Sequence, residues 1–461
     1  MRVLLITGLA LLFAGCMMKP KETHQLDQEL QEAGKPYQKP FAQRQLPELP
    51  SPATWQDVLQ RSLLANGELE AAYDEWRAAE ERIGAASYWP NSNVSLGFEY
   101  MFSGGSVKTW DRVTTSAAFD PSTPLKMPSK IRKGGEAALA SAQQAAQSFA
   151  AAKFRIQRQA LTSYYDLALM QDQIRLMRQN LELQKLTVQN VRSRVQAGGA
   201  GGGGAAQQDM LRAQLAARVM ENEIATMQSQ AKAMRTMLNG MMARPTDAPI
   251  ELPETLPDPR PIPADDQLIA MGVDTSPEIK RLAAQVKGRQ DAIDLAKMQY
   301  LPDISPTAAF TGSVSQTIGA MIVLPTTIPM IEASIKEAQA MREASESMLR
   351  QTRQDKAANF VATLYALRNA ERQEAFYRDN ILPVTRQVLQ AARQDYTAGR
   401  LGLGELLDAQ RMLIDVNRSI DQFRIDREKR LAELEEIAGM DVEAIRPVAT
   451  TVPTTTMTNG K

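Results

Sequence analysis

The 461-residue chain carries 53 basic and 53 acidic side chains, a balance that gives it no electrostatic pull toward nucleic acid or an acidic membrane surface. One histidine and one cysteine leave almost nothing for disulfides or metal chemistry. Aromatic residues make up only 5% of the chain while Ala, Gln, Leu, Arg and Glu fill long segments, a composition that favours long helices.

The chain begins with Arg2, an apolar run from Val3 to Ala14 and small residues directly before Cys16, the pattern of an export signal over residues 1–15. The order Phe13-Ala14-Gly15-Cys16 resembles a bacterial lipobox, with Phe13 where Leu is usual. That resemblance implies cleavage before Cys16 and acylation of its thiol, and Met17 in place of Asp implies delivery to the outer membrane. Several acyl chains hold firmly, because each buried CH₂ contributes about 0.8 kcal/mol. Residues 16–54 are polar and punctuated by Pro20, Pro36, Pro40, Pro47, Pro50 and Pro52, which predicts an extended, lipid-anchored tether.

Residues 55–245 then read as helix, strand, strand, long helix, turn, long helix. Strands are expected over 92–102 and 110–119. In the first, Val94, Leu96, Phe98, Tyr100 and Phe102 alternate with Ser95, Gly97, Glu99 and Met101, the period of two of a sheet with one apolar and one wet face. A helix from Ser129 to Gln196 leads to a run with six glycines in the seven positions 198–204. A phosphate loop would need Gly-Lys-Ser/Thr after such a run, and Ala205-Ala206-Gln207 follows instead. A linker over 246–264 separates this half from residues 265–440, where strands are expected over 304–311 and 314–324 and a long helix from Met330 to Ala398. Pro383 should bend that helix rather than end it, since the pattern Ile381, Val384, Val388, Ala392, Tyr396 continues through it as a packing stripe. Residues 441–461 are Thr-rich and predict a disordered tail.

The two halves match in order. "LANGELEAA" (64–72) corresponds to "DTSPEIKRL" (274–282), "YWPNSNVSLGF" (88–98) to "YLPDISPTAAF" (300–310), and "FDPSTPLK" (119–126) to "VLPTTIPM" (323–330). The glycine run with "DMLRAQ" corresponds to "YTAGRLGLGELLDAQ" (396–410), and "LNGM" (238–241) to "IAGM" (437–440). The glycine run is therefore a lengthened helix-to-helix turn.

No segment beyond the signal reaches about 18 uninterrupted apolar residues, so a membrane crossing would have to use strands. Strands of about ten residues suit a tilted crossing. Four are too few for a closed barrel, so copies must share one. Two copies give eight strands and three give twelve, and helices this long around a wide bore favour three. Enzymatic chemistry finds no nucleophile elbow, and the one histidine, His24, stands in the N-terminal tail. Met227, Met234, Met237 and Met241 fall at helical spacing, which packing explains without a metal. No cofactor is expected.

The lipobox, the duplicated strand-pair and long-helix unit, and the turn at Tyr396–Gly399 followed by "LLDAQ" together resemble the outer membrane factor family, the TolC-like exit ducts of tripartite efflux systems. The lipidated branch associated with resistance-nodulation-division pumps is the most similar. The resemblance implies a mainly helical fold with membrane strands: a homotrimer with a twelve-stranded barrel in the outer membrane and a periplasmic α-barrel. It also implies partnership with a periplasmic adaptor (membrane fusion) protein and an inner-membrane pump. By the same resemblance Gly198, Gly199 and Gly399 lie at the periplasmic tip, where Tyr396 and Arg400 belong to a gate and adaptor-contact region. Glu405 and Asp408, with Asp209 in the first half, are the implied constriction; the i, i+3 spacing of the first two puts both carboxylates on one helix face. The competing reading is a periplasmic adaptor or coiled-coil scaffold lipoprotein, which would carry one hairpin rather than two at matching places.

Overall fold

Proline sets the point at which helix gives way to sheet in the second half. In the computed structural model, which describes residues 18–89, 94–102, 105–119, 125–196, 203–271, 274–313 and 315–441, the 21-residue helix Pro277–Lys297 runs into a 3₁₀ turn, Met298–Tyr300. Leu301, held extended at φ −80° and ψ 136°, precedes Pro302, whose ring disfavours helix at the residue before it.

In chain order the helices are α1 (Thr23–Gly34), α2 (Trp55–Ala65), α3 (Gly67–Ser87), α4 (Pro128–Gln196), α5 (Gly203–Met241), α6 (Asp265–Met271), α7 (Pro277–Lys297), α8 (Ile328–Phe376), α9 (Leu382–Thr397) and α10 (Leu403–Ala438). The strands are β1 (Val94–Tyr100), β2 (Val113–Phe119), β3 (Asp303–Thr311) and β4 (Ser315–Val323). A 21-residue helix, two strands and a long helix pair thus occur twice. Among the described residues no helix is long and apolar enough to cross a membrane.

The described residues fall into two compact units, one drawn from Met1–Pro40, Glu68–Ala150 and Pro277–Gln354, the other from Phe41–Gly67, Ala151–Ser276 and Asp355–Lys461. The first holds the sheet, an antiparallel meander in the order β1-β2-β3-β4. Its register aligns Phe98 with Thr115, Thr115 with Phe310, and Phe310 with Gln316. Following that register, one face carries Leu96, Phe98, Tyr100, Val113, Ala117, Ala308, Ile304, Ile318 and Ile322. The other carries Ser95, Gly97, Glu99, Thr114, Ser116, Thr307, Ser305, Ser315 and Thr317. Leu96 is 81% exposed, Phe98 71% and Ile318 87%, so among the described residues nothing covers this part of the apolar face. β2 begins at Val113 rather than Trp110, because Thr109–Arg112 form a 3₁₀ turn. Asp111 holds that turn against the second hairpin, its Oδ1 accepting from the Ser313 N–H at 2.8 Å and hydroxyl at 2.6 Å. At the opposite end the Lys130 ammonium donates to the Leu301 carbonyl at 2.9 Å and to Asp303 at 2.8 Å, fixing the start of β3 to the start of α4.

The expected tether is not extended throughout. Residues 23–34 form α1, which buries Leu26 and Leu30 with Tyr73, Trp76, Ile83 and Leu139. Tyr37 stacks on Tyr73 with ring centroids 5.1 Å apart, and Gly34 sits so close to the Tyr73 hydroxyl that a Cβ there would clash. Asp27 lies beside Glu80 on α3; burial first, then the hydrogen bond and charge of Asp27, push the Glu80 carboxyl up to about 7.

The second unit has its core where α4, α5 and α10 meet α2, around Tyr164, Tyr165, Leu167, Ile224, Leu238 and Ile425. Thr54 caps α2 reciprocally with Asp57, the capping-box arrangement that satisfies two otherwise orphaned donors. Met227 is in this core and Met234 packs against it, whereas Met237 is 69% exposed, so packing accounts for only part of that methionine series. The expected continuous helix from 330 to 398 contains a π turn, Tyr377–Ile381, directly before Pro383. Its inner stripe is Leu382, Thr385, Leu389 and Ala392, not the expected Val384 and Val388, which are exposed. Thr385 can be buried because its hydroxyl donates to the Ile381 carbonyl at 2.9 Å.

Truncating a buried leucine removes contacts and leaves a cavity, at a cost of about 2–5 kcal/mol. Leu30→Ala is therefore expected to free α1, seen as fast proteolysis between residues 23 and 37 with the remainder resistant; wild-type resistance in that segment would show that α1 is not held by this contact.

Candidate functional site

The turn between α9 and α10 is built by its backbone. Gly399 adopts φ +72°, a left-handed conformation that costs glycine least. The Arg400 N–H returns to the Asp395 carbonyl at 2.9 Å and the Gly399 N–H to Tyr396 at 3.1 Å, so the last carbonyls of α9 find donors. Gly402 then opens α10, and the Glu405 carboxylate accepts its N–H at 3.2 Å. Glu405 and Asp408 are both exposed, on the face opposite buried Leu403, Leu406 and Ala409. Glu405 thus has a local task as well: its negative charge sits in the first turn of a helix, where unpaired N–H groups favour it.

The ends of α4 and α5 pack beside this turn. Val191 of α4 and Ala213 of α5 are buried in one cluster with Leu389, Ala392, Leu403, Leu406 and Ala409, and Met210 and Tyr396 pack against it. Asp209, half-buried, directly precedes Met210. Arg212 is exposed, with its Nη1 3.9 Å from where a Cβ on Gly404 would lie. Arg400 pairs in this chain with Asp395 at 2.7 Å. Gly198, Gly199 and Cys16 lie outside the described residues. Among those described, no group of three or more His, Cys, Asp or Glu is placed to hold a metal.

Sequence reasoning missed a buried charge network in the same unit. The segment 246–264, expected as a linker, delivers Arg260 into the core. Arg260 is 5% exposed and bonds Glu428 at 3.0 Å and Glu435 at 3.1 Å, carboxylates 2% and 1% exposed. Arg427 adds Glu428 and, at 3.0 Å, Glu371; the Tyr165 hydroxyl donates to Glu428 at 3.4 Å and Gln157 to Glu435 at 3.3 Å. Burial works against the Arg260 charge, but Glu435 and the other neighbours hold its pKa above the ordinary value. One signal was available: Glu428 and Glu435 stand seven apart on the helix face that also carries Ile425, Leu431 and Ala432. Nearby, burial first and then the charge and hydrogen bond of Asp172 push the Asp421 carboxyl up to about 7.

Removing one partner of a buried ion pair strands the other charge, at about 3–5 kcal/mol. Arg260→Met should lower stability by about that amount, while adding Glu428→Gln and Glu435→Gln should recover at least half, both read from denaturant midpoints; an unaltered single variant would mean the network carries no such load. The carboxyls at 80 and 421 give a pH signature. An acid whose folded pKa lies above its unfolded value of about 4 contributes stability that is complete below the unfolded value and is lost as pH rises through the folded one. The contribution of these carboxyls is expected to be lost between about pH 4 and 7, so that over this window the melting temperature falls more in the unaltered protein than in the Glu80→Gln, Asp421→Asn variant; parallel slopes would exclude these groups.

The fold and the match to known families agree. Residues 269–440 match the outer membrane efflux protein family. The chain superposes on crystal structures of CusC with a TM-score of 0.68 at 17% identity, covering 88% of this chain and 97% of that one. For the outer membrane protein VceC of Vibrio cholerae the TM-score is 0.68 at 16% identity, covering 84% and 97%. For the CmeC outer membrane channel of Campylobacter jejuni it is 0.67 at 13% identity, covering 85% and 87%. No curated protein matches by sequence. The chain thus has the fold of these outer membrane channel proteins, and its residues 269–440 match the outer membrane efflux protein family.

Proposed function

We propose that three copies of this chain form the passive exit duct of a tripartite efflux system. The sheet carries the reading: among the described residues it has one apolar face without a covering layer, one polar face, and edge strands β1 and β4 each paired on one side only. A spanning sheet must close. Three copies supply twelve strands, with the apolar faces toward lipid and the polar faces toward a water-filled bore.

In this reading Cys16 carries the lipid that holds the duct to the outer membrane, and the long helices continue the bore into the periplasm. The turns at Gly198–Gly199 and at Tyr396, Gly399 and Arg400 form the tip that receives a periplasmic adaptor joined to an inner-membrane pump of the resistance-nodulation-division type. Glu405 and Asp408, with Asp209, repeat around the threefold axis as acidic rings. Such rings favour cations and oppose closure through like-charge repulsion. The chain performs no chemistry; the pump supplies the driving force. The adaptor reading is weaker, because an adaptor has no use for a two-faced sheet with open edges.

Because Glu405 also accepts the Gly402 N–H, charge is best removed without removing the side chain. Glu405→Gln with Asp408→Asn keeps the side-chain volume and removes the ring charge, so single-channel cation conductance in planar bilayers is expected to fall and cation preference to drop by about twofold. Unchanged conductance and selectivity would take both residues out of the constriction.

A further inference from the structure

A cleft between α4 and α5, about 560 Å³ in volume, has a composition that nothing in the duct reading requires. Arg175, Arg178 and Arg235 line it together with Gln171, Gln179 and Gln228. No carboxylate lines the cleft among the described residues. Arg175 is committed to Asp172 on its own helix. Arg178 and Arg235 have neither an ion pair nor a hydrogen bond among the described residues. The Nε of Arg235 is moreover buried without an acceptor. A buried N–H left unpaired costs about 1–3 kcal/mol, more on a charged group, and this guanidinium finds no acceptor among the described residues.

A guanidinium presents parallel N–H groups that match the two oxygens of a carboxylate or phosphate. The three primary amides add donors and acceptors in equal measure. Phosphate draws mainly on donors, whereas a peptide uses donors and acceptors alike. The volume lies in the range of small-molecule sites, about 300–1,000 Å³. We propose that this cleft binds an acidic peptide, its carboxylates on Arg178 and Arg235 and its backbone amides on the glutamines.

The test uses the purified full-length protein in detergent at low ionic strength, titrated calorimetrically with acetyl-Glu-Ala-Glu, acetyl-Gln-Ala-Gln and inorganic phosphate. Saturable binding of the acidic peptide is expected, with the neutral peptide and phosphate each at least about tenfold weaker. Arg178→Gln with Arg235→Gln should weaken the acidic peptide at least about tenfold, and Arg178→Lys with Arg235→Lys should restore part of it. Phenylglyoxal labelling of the unaltered protein, read by mass spectrometry, keeps the test independent of the variants: the acidic peptide should protect Arg178 and Arg235. Equal binding of the neutral peptide, tighter binding of phosphate, or unprotected arginines would each overturn the proposal. So would arginines that resist labelling without peptide, the result expected if a second copy fills the cleft.

Discussion

An antiparallel sheet of four strands has two open edges, and lipid offers nothing to bond them. Each backbone N–H or C=O left unpaired in hydrocarbon costs several kcal/mol, so β1 and β4 cannot rest in a bilayer as the limits of a single chain. Duplication is one answer to that constraint. β2 and β3 pair although they are far apart in sequence, with Ser116 opposite Ala309 and Ala117 opposite Ala308, so the two halves are stitched through the sheet before any second copy is needed. Asp111 with Ser313 at one end and Lys130 with Asp303 at the other hold the hairpins in a single register. Register matters here because a slip by one residue would move Leu96, Phe98, Ile318 and Ile322 to the polar face.

Under the proposed reading, a structural and a functional demand fall together on Glu405. Glu405 closes the N-terminus of α10 onto Gly402, and Asp408, one turn later, has no such bond among the described residues. If charge in the bore were the only requirement, either position would serve equally. The capping bond makes position 405 tolerant of Gln and less tolerant of Ala, and leaves 408 free to vary in charge alone.

Much of the fold was legible in the sequence because its signals are local. Alternation from Leu96 to Tyr100, Pro302 after Tyr300 and the glycine at 399 each act within a few residues. What was not legible depends on partners far along the chain. Leu26 and Leu30 are an ordinary i, i+4 pair in a stretch full of prolines nearby; only Tyr73 and Trp76 turn them into a buried face. Two apolar ridges compete on α9, and the buried one contains Thr385, whose polarity disguises it until its hydroxyl is seen bonding Ile381. Glu405 and Asp408 are singled out only by a family resemblance at the turn, and Arg260 by nothing, since a lone arginine among prolines carries no signal of burial.

The segment around Arg260 explains why so many arginines of α8 and α10 turn inward. A proline-rich strand crossing a helical surface has carbonyls but few N–H groups, and no neighbouring strand to receive them. Here side chains do that work. Arg424 donates to the carbonyls of Leu256, at 3.2 Å, and Pro257, at 2.5 Å, Arg427 to that of Arg260 at 2.7 Å, and Arg368 to that of Pro263 at 3.2 Å. Those guanidinium groups then need counter-charges: Glu371 and Glu428 supply them to Arg427, Glu371 and Asp265 to Arg368, and Asp258 to Arg424, while Glu428 and Glu435 hold Arg260 itself. Buried ion pairs seldom add net stability over apolar packing. In this unit they follow from a prior need, the satisfaction of backbone carbonyls that no helix or sheet can reach.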